Sequence, residues 1–169
     1  DQLIFDGNSF FVDATGQLRH QLPAFKEGVG WVDLEALPEQ QPSSSENPIA
    51  ELHDALCLGI HDYVKKTGFE RVVLGLSGGI DSAVVAALAV TALGNKAVHG
   101  VAMPSVYSSE GSVLDAEALA AALGIQYTKL PIHETHDSVL KTLAPVLEGT
   151  TADETEENIQ SRIRGLLLM

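Results

Sequence analysis

One stretch of the sequence limits what this chain can fold into more than any other. Residues 72–76 read Val-Val-Leu-Gly-Leu, a short apolar run rich in β-branched residues, and the glycine-rich segment Ser77–Ser82 follows directly. An apolar run of this length is typical of a parallel strand that is buried on both faces. The small apolar residues 83–88 that come next predict a helix. A strand, a tight loop and a helix in this order indicate an α/β fold.

The loop between this strand and this helix has the features of an anion-binding site. Gly78 and Gly79 can take backbone angles that are closed to other residues, and a ligand can approach their main chain closely. Ser77 and Ser82 add hydroxyl donors to the same loop. The helix that begins near Asp81 points unpaired amides and the positive end of its dipole at the loop. The sequence therefore predicts a receptacle for a phosphate group.

The loop differs from two other phosphate-binding patterns. It lacks the lysine of the pattern Gly-x-x-x-x-Gly-Lys-Ser/Thr, and the dinucleotide pattern Gly-x-Gly-x-x-Gly is also absent from it. Asp81 would repel a polyphosphate unless a divalent cation lay between them, so we predict magnesium with Asp81 as a ligand. The alternative is a glycine-rich turn that joins a strand to a helix and binds no ligand.

The composition argues against several classes of protein. With 169 residues, of which 45% are hydrophobic and 20% charged, the chain can bury one α/β core. Its formal net charge of −13 argues against a nucleic acid or an anionic membrane as the main partner. We find no signal-peptide pattern and no apolar run of membrane-spanning length in these residues, and we expect a soluble protein of the cytoplasm.

Cysteine and histidine usage does not indicate a metal cluster. Cys57 is the single cysteine, so a disulfide framework within the chain is excluded and a reducing compartment is favoured. Its helical context predicts a buried structural thiol rather than a nucleophile. The six histidines lack the spacing of a zinc helix, and we interpret all of them as solvated or core-edge residues, including His133 and His136.

The chain divides by composition into three parts. Residues 1–38 contain short β-like runs separated by turn formers, which predict hairpins, and so few strands need a sheet completed by further sequence or by a partner. Residues 39–47 are polar, with proline and serine, and predict an interdomain linker. Residues 48–169 form the third part. Because the chain starts without methionine in what looks like a strand at Leu3–Phe5 and stops on apolar residues, we expect a piece of a longer protein.

Strands and helices alternate through the third part. Asn47 and Pro48 predict the start of a first helix that ends before Gly68. The alternation predicts a doubly wound parallel sheet, whose ligands bind outside the carboxyl ends of its strands. The helix at 82–93 is apolar nearly all round, so we expect it to be well buried. Beyond it we predict strands at 97–103 and 125–130 and helices at 112–123, 133–147 and 154–165.

The last helix carries two polar residues on one face. Asn158 and Arg162 are four residues apart, which brings them together on a helix. From the spacing alone, an ordinary solvated surface of Glu and Arg pairs is the simpler interpretation.

Four segments of the sequence resemble a known family. The pattern Ser-Gly-Gly-x-Asp-Ser at 77–82 resembles the PP-loop of ATP pyrophosphatases, which adenylate a carboxylate or carbonyl and release pyrophosphate. GMP synthetase, asparagine synthetase and tRNA-modifying enzymes share that loop. Three further segments narrow the resemblance to NAD synthetase. They are Met-Pro-Ser-Val-Tyr-Ser-Ser at 103–109, Asp-Ala to Leu-Gly-Ile at 115–125, and Glu-Asn-Ile-Gln-Ser-Arg-Ile-Arg-Gly at 157–165. The resemblance covers residues 48–169, while residues 1–34 are similar to the last strands of the nitrilase-like glutaminase domain of the glutamine-dependent form.

The resemblance implies a reaction and roles for individual residues. The family adenylates the nicotinate carboxylate of deamido-NAD with ATP, releases pyrophosphate, and lets ammonia displace AMP to give NAD. By resemblance, Asp81 ligates magnesium and acts with Ser77 in catalysis, and Asn158 and Arg162 contact deamido-NAD, which overrides the interpretation from spacing. Ala102 and Met103 would flank the adenine. The ATP-binding loop would comprise Gly75, Leu76, Ser77, Gly78, Gly79, Ile80, Asp81 and Ser82.

The resemblance also implies what this chain lacks. In the family a second magnesium-ligating Glu follows the point where this chain stops, and the Glu, Lys and Cys of the glutaminase precede Asp1. We therefore expect the intact protein to be a ligase and a homodimer, and these 169 residues alone to be inactive or only to bind nucleotide. The alternatives are another PP-loop enzyme, such as one like GMP synthetase or a tRNA sulfurtransferase, and a non-catalytic adenine-nucleotide-binding module. The net charge argues against a tRNA enzyme.

Overall fold

The computed structural model describes residues 3–39, 47–149 and 154–169. It forms two compact units, Asp1–Tyr63 and Val64–Met169, which we describe separately. The three predicted parts with limits at 38 and 47 stay a prediction, and residues 40–46 of the predicted linker lie outside the described residues. No helix within the described ranges has both the length and the apolar character needed to cross a membrane.

The first unit contains an antiparallel hairpin. Strands β1 (Phe10–Val12) and β2 (Leu18–Gln21) pair in antiparallel register, which confirms a predicted hairpin. Asp13 holds the turn between them because its carboxylate accepts hydrogen bonds from Thr15, from the amide of Gln17 and from Arg19. The same bonds hold the pKa of Asp13 well below its usual range, the side-chain bond from Thr15 contributing most.

The predicted strand at Leu3–Phe5 is wrong. These residues form no strand, and the nearest pairing is a single antiparallel bridge between Gly7 and Ala24. Leu3 and Phe5 are 76% and 80% exposed. An apolar segment becomes a strand only when a neighbouring strand pairs with it, and none of the described residues provides one.

Helix α1 (Pro48–Lys66) begins and ends as the sequence predicts. The side-chain oxygen of Asn47 accepts hydrogen bonds from the amides of Ile49 at 3.1 Å and Ala50 at 3.3 Å, which caps the first turn. Cys57 lies on this helix and is only half-buried, so the prediction of a buried thiol is met in part. Burial, with a smaller contribution from Asp54, raises the pKa of the Cys57 thiol, which lowers its reactivity.

A parallel three-stranded sheet forms the centre of the second unit, which confirms the predicted α/β fold with a parallel sheet. Its strands β3, β4 and β5 lie side by side in that order, and all pairs are parallel. The bounds are Val72–Gly75 for β3, Val98–Ala102 for β4 and Gln126–Lys129 for β5. The helices are α2 (Ile80–Leu93), α3 (Glu110–Leu123), α4 (His133–Leu147) and α5 (Glu154–Leu168).

Helices cover both faces of this sheet. Successive side chains of the central strand β4 point to opposite sides, so β4 packs against both layers of helices. Val98 and Ala102 pack in one cluster with buried alanines of α2 and α3. Val101 and Met103 pack in a second cluster with Ile163 of α5 and residues of the α4 region. The central strand β4 is therefore the most buried part of the unit, and α5 forms a wall beside its carboxyl end.

Three burial predictions are wrong. Val73 of β3 is 51% exposed, because β3 is an edge strand of the described sheet and this face of it is incompletely covered. Val84 and Val85 of α2 are about half exposed, because only the opposite face of α2 packs on the sheet and α3. His136 is buried rather than at the edge of the core, because α4 begins directly after the fully buried Ile132 and turns His136 inward.

Candidate functional site

A cavity of about 500 Å³ lies outside the carboxyl ends of β3 and β4. Open α/β sheets bind their ligands in this position. Its walls come from the end of β3 with the following loop, from the end of β4 with the following turn, and from one face of α5. The lining residues are Gly75, Leu76, Ser77, Ser82, Val101, Ala102, Met103, Pro104, Ser108, Ser112, Val113, Ser161, Arg164, Gly165 and Leu168.

The predicted ATP-binding residues fall into two groups. Six of them line the cavity: Gly75, Leu76, Ser77, Ser82, Ala102 and Met103. The other four, Gly78, Gly79, Ile80 and Asp81, lie in the loop and the first turn of α2 and do not line it. The cavity therefore contacts the two ends of the loop, and the residues between them do not line it.

Gly78 is required by a contact within the protein. Its φ is +80°, and a Cβ atom there would overlap the main-chain carbonyl of Ser112 in the first turn of α3. The sequence indicates special backbone angles and a close approach by a ligand at this position, but not this packing of the loop against α3. Gly79 has φ −87°, an ordinary value, so the prediction of special backbone angles is correct for Gly78 and wrong for Gly79.

Ser77 and Ser82 fix the shape of the loop. The Ser82 hydroxyl donates to the carbonyl of Gly79 at 2.9 Å and accepts from the amide of Ser77 at 3.2 Å. The Ser77 hydroxyl lies 3.0 Å from that of Ser82 and accepts from the amide of Gly79 at 3.1 Å. These bonds close the loop on itself and preorganise its main chain, which is the property an anion cradle needs.

Helix α2 begins without a side-chain cap. Its N-cap residue is Gly79, which has no side chain to accept the amides of the first turn. Asp81 is exposed in that turn, beside those amides. The amides carry partial positive charge, so the helix start can bind an anion such as phosphate.

The donors near this helix start suit magnesium brought by a nucleotide. In the part of the chain that the structure describes, no group of three His, Cys, Asp or Glu side chains could hold a metal ion. Magnesium is commonly bound through one or two carboxylates together with substrate phosphates and water. Asp81, exposed in the first turn of α2, fits that role, and the described residues provide no set of ligands that would hold a metal by protein alone.

Serine side chains also shape the segment Met103–Ser109. The amide of Ser105 donates to the Ser108 hydroxyl at 3.0 Å, and the amide of Tyr107 donates to the Ser105 hydroxyl at 3.3 Å. Ser109 is the N-cap of α3 and accepts the amide of Ser112 at 3.1 Å. The turn therefore returns the chain from β4 to α3 and sets Ser108 in the cavity wall.

The face of helix α5 that lines the cavity is not the face with the predicted site residues. Asn158 and Arg162 are both exposed and do not line the cavity. The residues that line it recur at helical spacing, namely Ser161, Arg164, Gly165 and Leu168. Arg164 donates from Nε to the carbonyl oxygen of Met103 at 3.1 Å. The spacing of this stripe was the signal that could have identified Arg164 from the sequence.

The sequence model of the NAD synthase family matches residues 52–169 of this chain. The chain belongs to that family. The match confirms the resemblance drawn from the loop and from the three further segments. It favours NAD synthase over the other PP-loop families that share the loop alone.

Individual members of the NAD synthase family match the chain over its whole length. It is 48% identical to the glutamine-dependent NAD(+) synthetase of Rhodobacter capsulatus and 40% identical to that of Thermotoga maritima. The aligned region covers 100% of this chain in both cases, and 32% and 36% of the two relatives. The chain therefore spans about a third of the length of these curated relatives.

Solved structures of the family agree with the fold. A glutamine-dependent NAD+ synthetase from Acinetobacter baumannii, solved in complex with ADP, gives a TM-score of 0.93 at 40% identity. That comparison covers 100% of this chain and 33% of the other. The NH3-dependent NAD synthetase from Campylobacter jejuni, solved with a nitrate ion, gives a TM-score of 0.63 at 34% identity and covers 70% of this chain and 49% of its own.

Proposed function

We propose that this chain supplies the ATP-binding part of a glutamine-dependent NAD synthetase. The observation that carries the proposal is the cavity at the ends of β3 and β4, beside an uncapped helix start that bears the Ser-Gly-Gly-x-Asp-Ser loop. Membership of the NAD synthase family identifies the reaction class. The ADP in the A. baumannii relative supports an adenine nucleotide as the ligand.

The reaction has two steps. In the first, an oxygen of the nicotinate carboxylate of deamido-NAD attacks the α-phosphorus of ATP, and the bond from that phosphorus to the bridging oxygen breaks to release pyrophosphate. In the second, ammonia attacks the acyl carbon of the adenylate, AMP leaves, and a proton is lost from nitrogen. The nitrogen comes from glutamine or free ammonia. Neither step needs a side-chain nucleophile, so the chain acts by positioning and by stabilising charge.

The loop residues would bind the leaving pyrophosphate. The main-chain amides of the first turn of α2 would donate to its oxygens, while the amides of Ser77 and Gly79 already donate to the serine hydroxyls that keep the loop in shape. Magnesium, held by Asp81 and the phosphates, would neutralise the charge that develops on pyrophosphate. Ala102 and Met103, both buried in the cavity wall, would flank the adenine.

Asn158 and Arg162 would bind deamido-NAD on the outer face of α5. Both side chains are exposed and stand one helical turn apart, so they are free to contact a second substrate that approaches from outside the nucleotide cavity. Arg164 lies on a different face of the helix and lines the cavity. Deamido-NAD bound at Asn158 and Arg162 would therefore extend its nicotinate carboxylate into the cavity to reach the α-phosphorus of ATP.

The remaining parts of the proposal concern the whole protein. We propose that residues 1–38 end a nitrilase-like glutaminase domain, that the intact enzyme is a cytoplasmic homodimer, and that the 169 residues alone do not make NAD. The coverage supports the glutamine-dependent form: the relative from A. baumannii covers 100% of this chain, whereas the NH3-dependent relative covers 70%.

The experiment is a coupled assay on a full-length protein that contains these 169 residues. Deamido-NAD, ATP and magnesium are supplied with either glutamine or ammonium, and NAD and pyrophosphate are followed. NAD formation with both nitrogen donors supports the whole proposal. Formation with ammonium alone removes the glutaminase assignment of residues 1–38. Pyrophosphate release without NAD would indicate another adenylating enzyme instead of an NAD synthetase. Binding of ATP without turnover would indicate a binding module.

A further inference from the structure

One wall of the cavity contains a guanidinium group that has no counterion among the described residues. Arg164 is half-buried on α5, and its Nε donates to the main-chain oxygen of Met103 at 3.1 Å. Among the residues that the structure describes, no carboxylate bonds to this side chain. The terminal nitrogens of the guanidinium carry four further N–H donors, and none of the described residues accepts from them, so a ligand can.

Arg164 is also the one charged side chain among the described residues that line the cavity. Its neighbours there are apolar side chains, glycines and serines. A half-buried cation without a partner lowers stability, because it has lost part of its hydration and gained no opposite charge. An anionic ligand in the cavity would provide the missing charge.

The helix holds this guanidinium in place before any ligand arrives. Gln160 and Ile163 on α5 are 8% and 5% exposed and anchor the helix in the protein. The bond from Nε to Met103 then fixes the plane of the guanidinium against the end of β4. Fixing a long side chain in advance reduces the entropy lost on binding, and the planar fork matches the oxygens of a phosphate.

We propose that Arg164 binds a phosphoryl group of the adenine nucleotide in this cavity. The inference rests on the proposed function, because that function places ATP there. The loop with Ser77 and Ser82 lies in the same cavity of about 500 Å³, so one nucleotide can contact both that loop and Arg164. Arg164 would add a full positive charge to a cradle that otherwise consists of amides and hydroxyls.

The test compares AMP with adenosine, two ligands that differ by one phosphoryl group. Binding of each is measured by calorimetry on a full-length protein that contains this chain, as wild type and as Arg164→Ala. We expect Arg164→Ala to lower the affinity for AMP by at least about tenfold, the usual effect of losing a charge-assisted hydrogen bond. The affinity for adenosine should stay unchanged. If Arg164 had only a structural role, the substitution would lower the affinities for AMP and adenosine equally, and that result would overturn the proposal.

Arg71→Ala is the matched control, because it removes an exposed arginine from the opposite end of β3. We expect it to bind AMP as the wild type does; an equal loss in this variant would show a general charge effect and overturn the proposal.

If Arg164→Ala does not fold, Arg164→Gln removes the charge with a smaller loss of side-chain volume and must show the same selective loss. Loss confined to deamido-NAD would assign Arg164 to that substrate and overturn the proposal. Wild-type protein that binds neither AMP nor ATP would overturn the proposed function itself, whereas normal binding by both Arg164 variants would overturn only the role of Arg164.

Discussion

The two connections that follow β3 and β4 begin at the same edge of the sheet and end differently. The first leads to α2 through the N-cap residue Gly79, which has no side chain to satisfy the first-turn amides. The second leads to α3 through Ser109, whose hydroxyl accepts the amide of Ser112. Each helix has one acidic residue in its first turn, Asp81 in α2 and Glu110 in α3.

The difference shows how two similar loops of one fold can have different roles, one in binding a ligand and one in supporting the structure. At the start of α3 one first-turn amide, that of Ser112, is already bonded to the Ser109 hydroxyl, and residues of this turn form part of the cavity wall. The uncapped start of α2 keeps its amides available for an external anion. We therefore expect the binding of nucleotide and metal to depend on the uncapped helix start of the first connection and not on the cap of the second.

The largest effect should come from the acidic residues of the two first turns. In a full-length protein that contains this chain, Asp81→Ala should lower the rate of pyrophosphate release by about a thousandfold or more, because a magnesium ligand is lost. Glu110→Ala is the matched control and should keep the wild-type rate, since Glu110 is exposed and does not line the cavity. Equal rates for the two variants would remove the distinction between the loops.

Glycine substitutions should separate the loop's packing from its chemistry. Gly78→Ala should lower the free energy of unfolding by about 3 kcal/mol or more, because the new Cβ overlaps the Ser112 main chain at a positive φ. Gly79→Ala should cost about 1 kcal/mol or less, since its Cβ would lie 3.3 Å from the Ser77 hydroxyl and its φ is ordinary. Thermal unfolding of both variants measures the difference, and similar melting temperatures would contradict the contact with α3.

Removing the cap of α3 should affect stability and leave binding intact. Ser109→Ala should cost about 1 kcal/mol of unfolding free energy, the usual loss for a serine N-cap. Denaturant unfolding gives the cost, and calorimetry should show ATP affinity within about twofold of wild type, because Ser109 does not line the cavity. A large loss of ATP affinity with full stability would assign the second connection to the ligand instead.

The smallest effect should come from adding a cap to α2. Gly79→Ser introduces a hydroxyl that can accept a first-turn amide, so it should raise stability by a few tenths of a kcal/mol, at most about 0.5. The same hydroxyl would compete with phosphate for that amide and weaken ATP binding by about threefold. Unfolding and calorimetry on one preparation measure both, and tighter ATP binding in this variant would contradict the account of the uncapped helix.

Much of the fold could be predicted because its signals are local. The apolar run at 72–76, the glycines after the first three helices and the cap at Asn47 helped to locate the strands and helices within about two residues, apart from the end of α5. The predicted strand at Leu3–Phe5 failed because pairing depends on residues elsewhere. The burial of α2 was overestimated because its composition cannot show how many neighbours it has.

The candidate site could be predicted only where a short motif encodes it. The loop at 77–82 and the residues Ala102 and Met103 were identified in this way, and the cavity contacts both. Arg164 was missed because its importance comes from a contact with Met103, which is 61 residues away in the sequence. The contact that also requires a glycine at Gly78 could not be predicted, since the approach of Ser112 is visible only in the fold.

The most direct test of the central claim is the magnesium dependence of ATP affinity. A full-length protein that contains this chain is titrated with ATP, with and without magnesium, as wild type, Asp81→Ala and Glu110→Ala. We predict that magnesium tightens ATP binding by about tenfold or more in the wild type and in Glu110→Ala, and has no effect in Asp81→Ala. Equal magnesium dependence in all three proteins would contradict the assignment of nucleotide and metal to the uncapped start of α2.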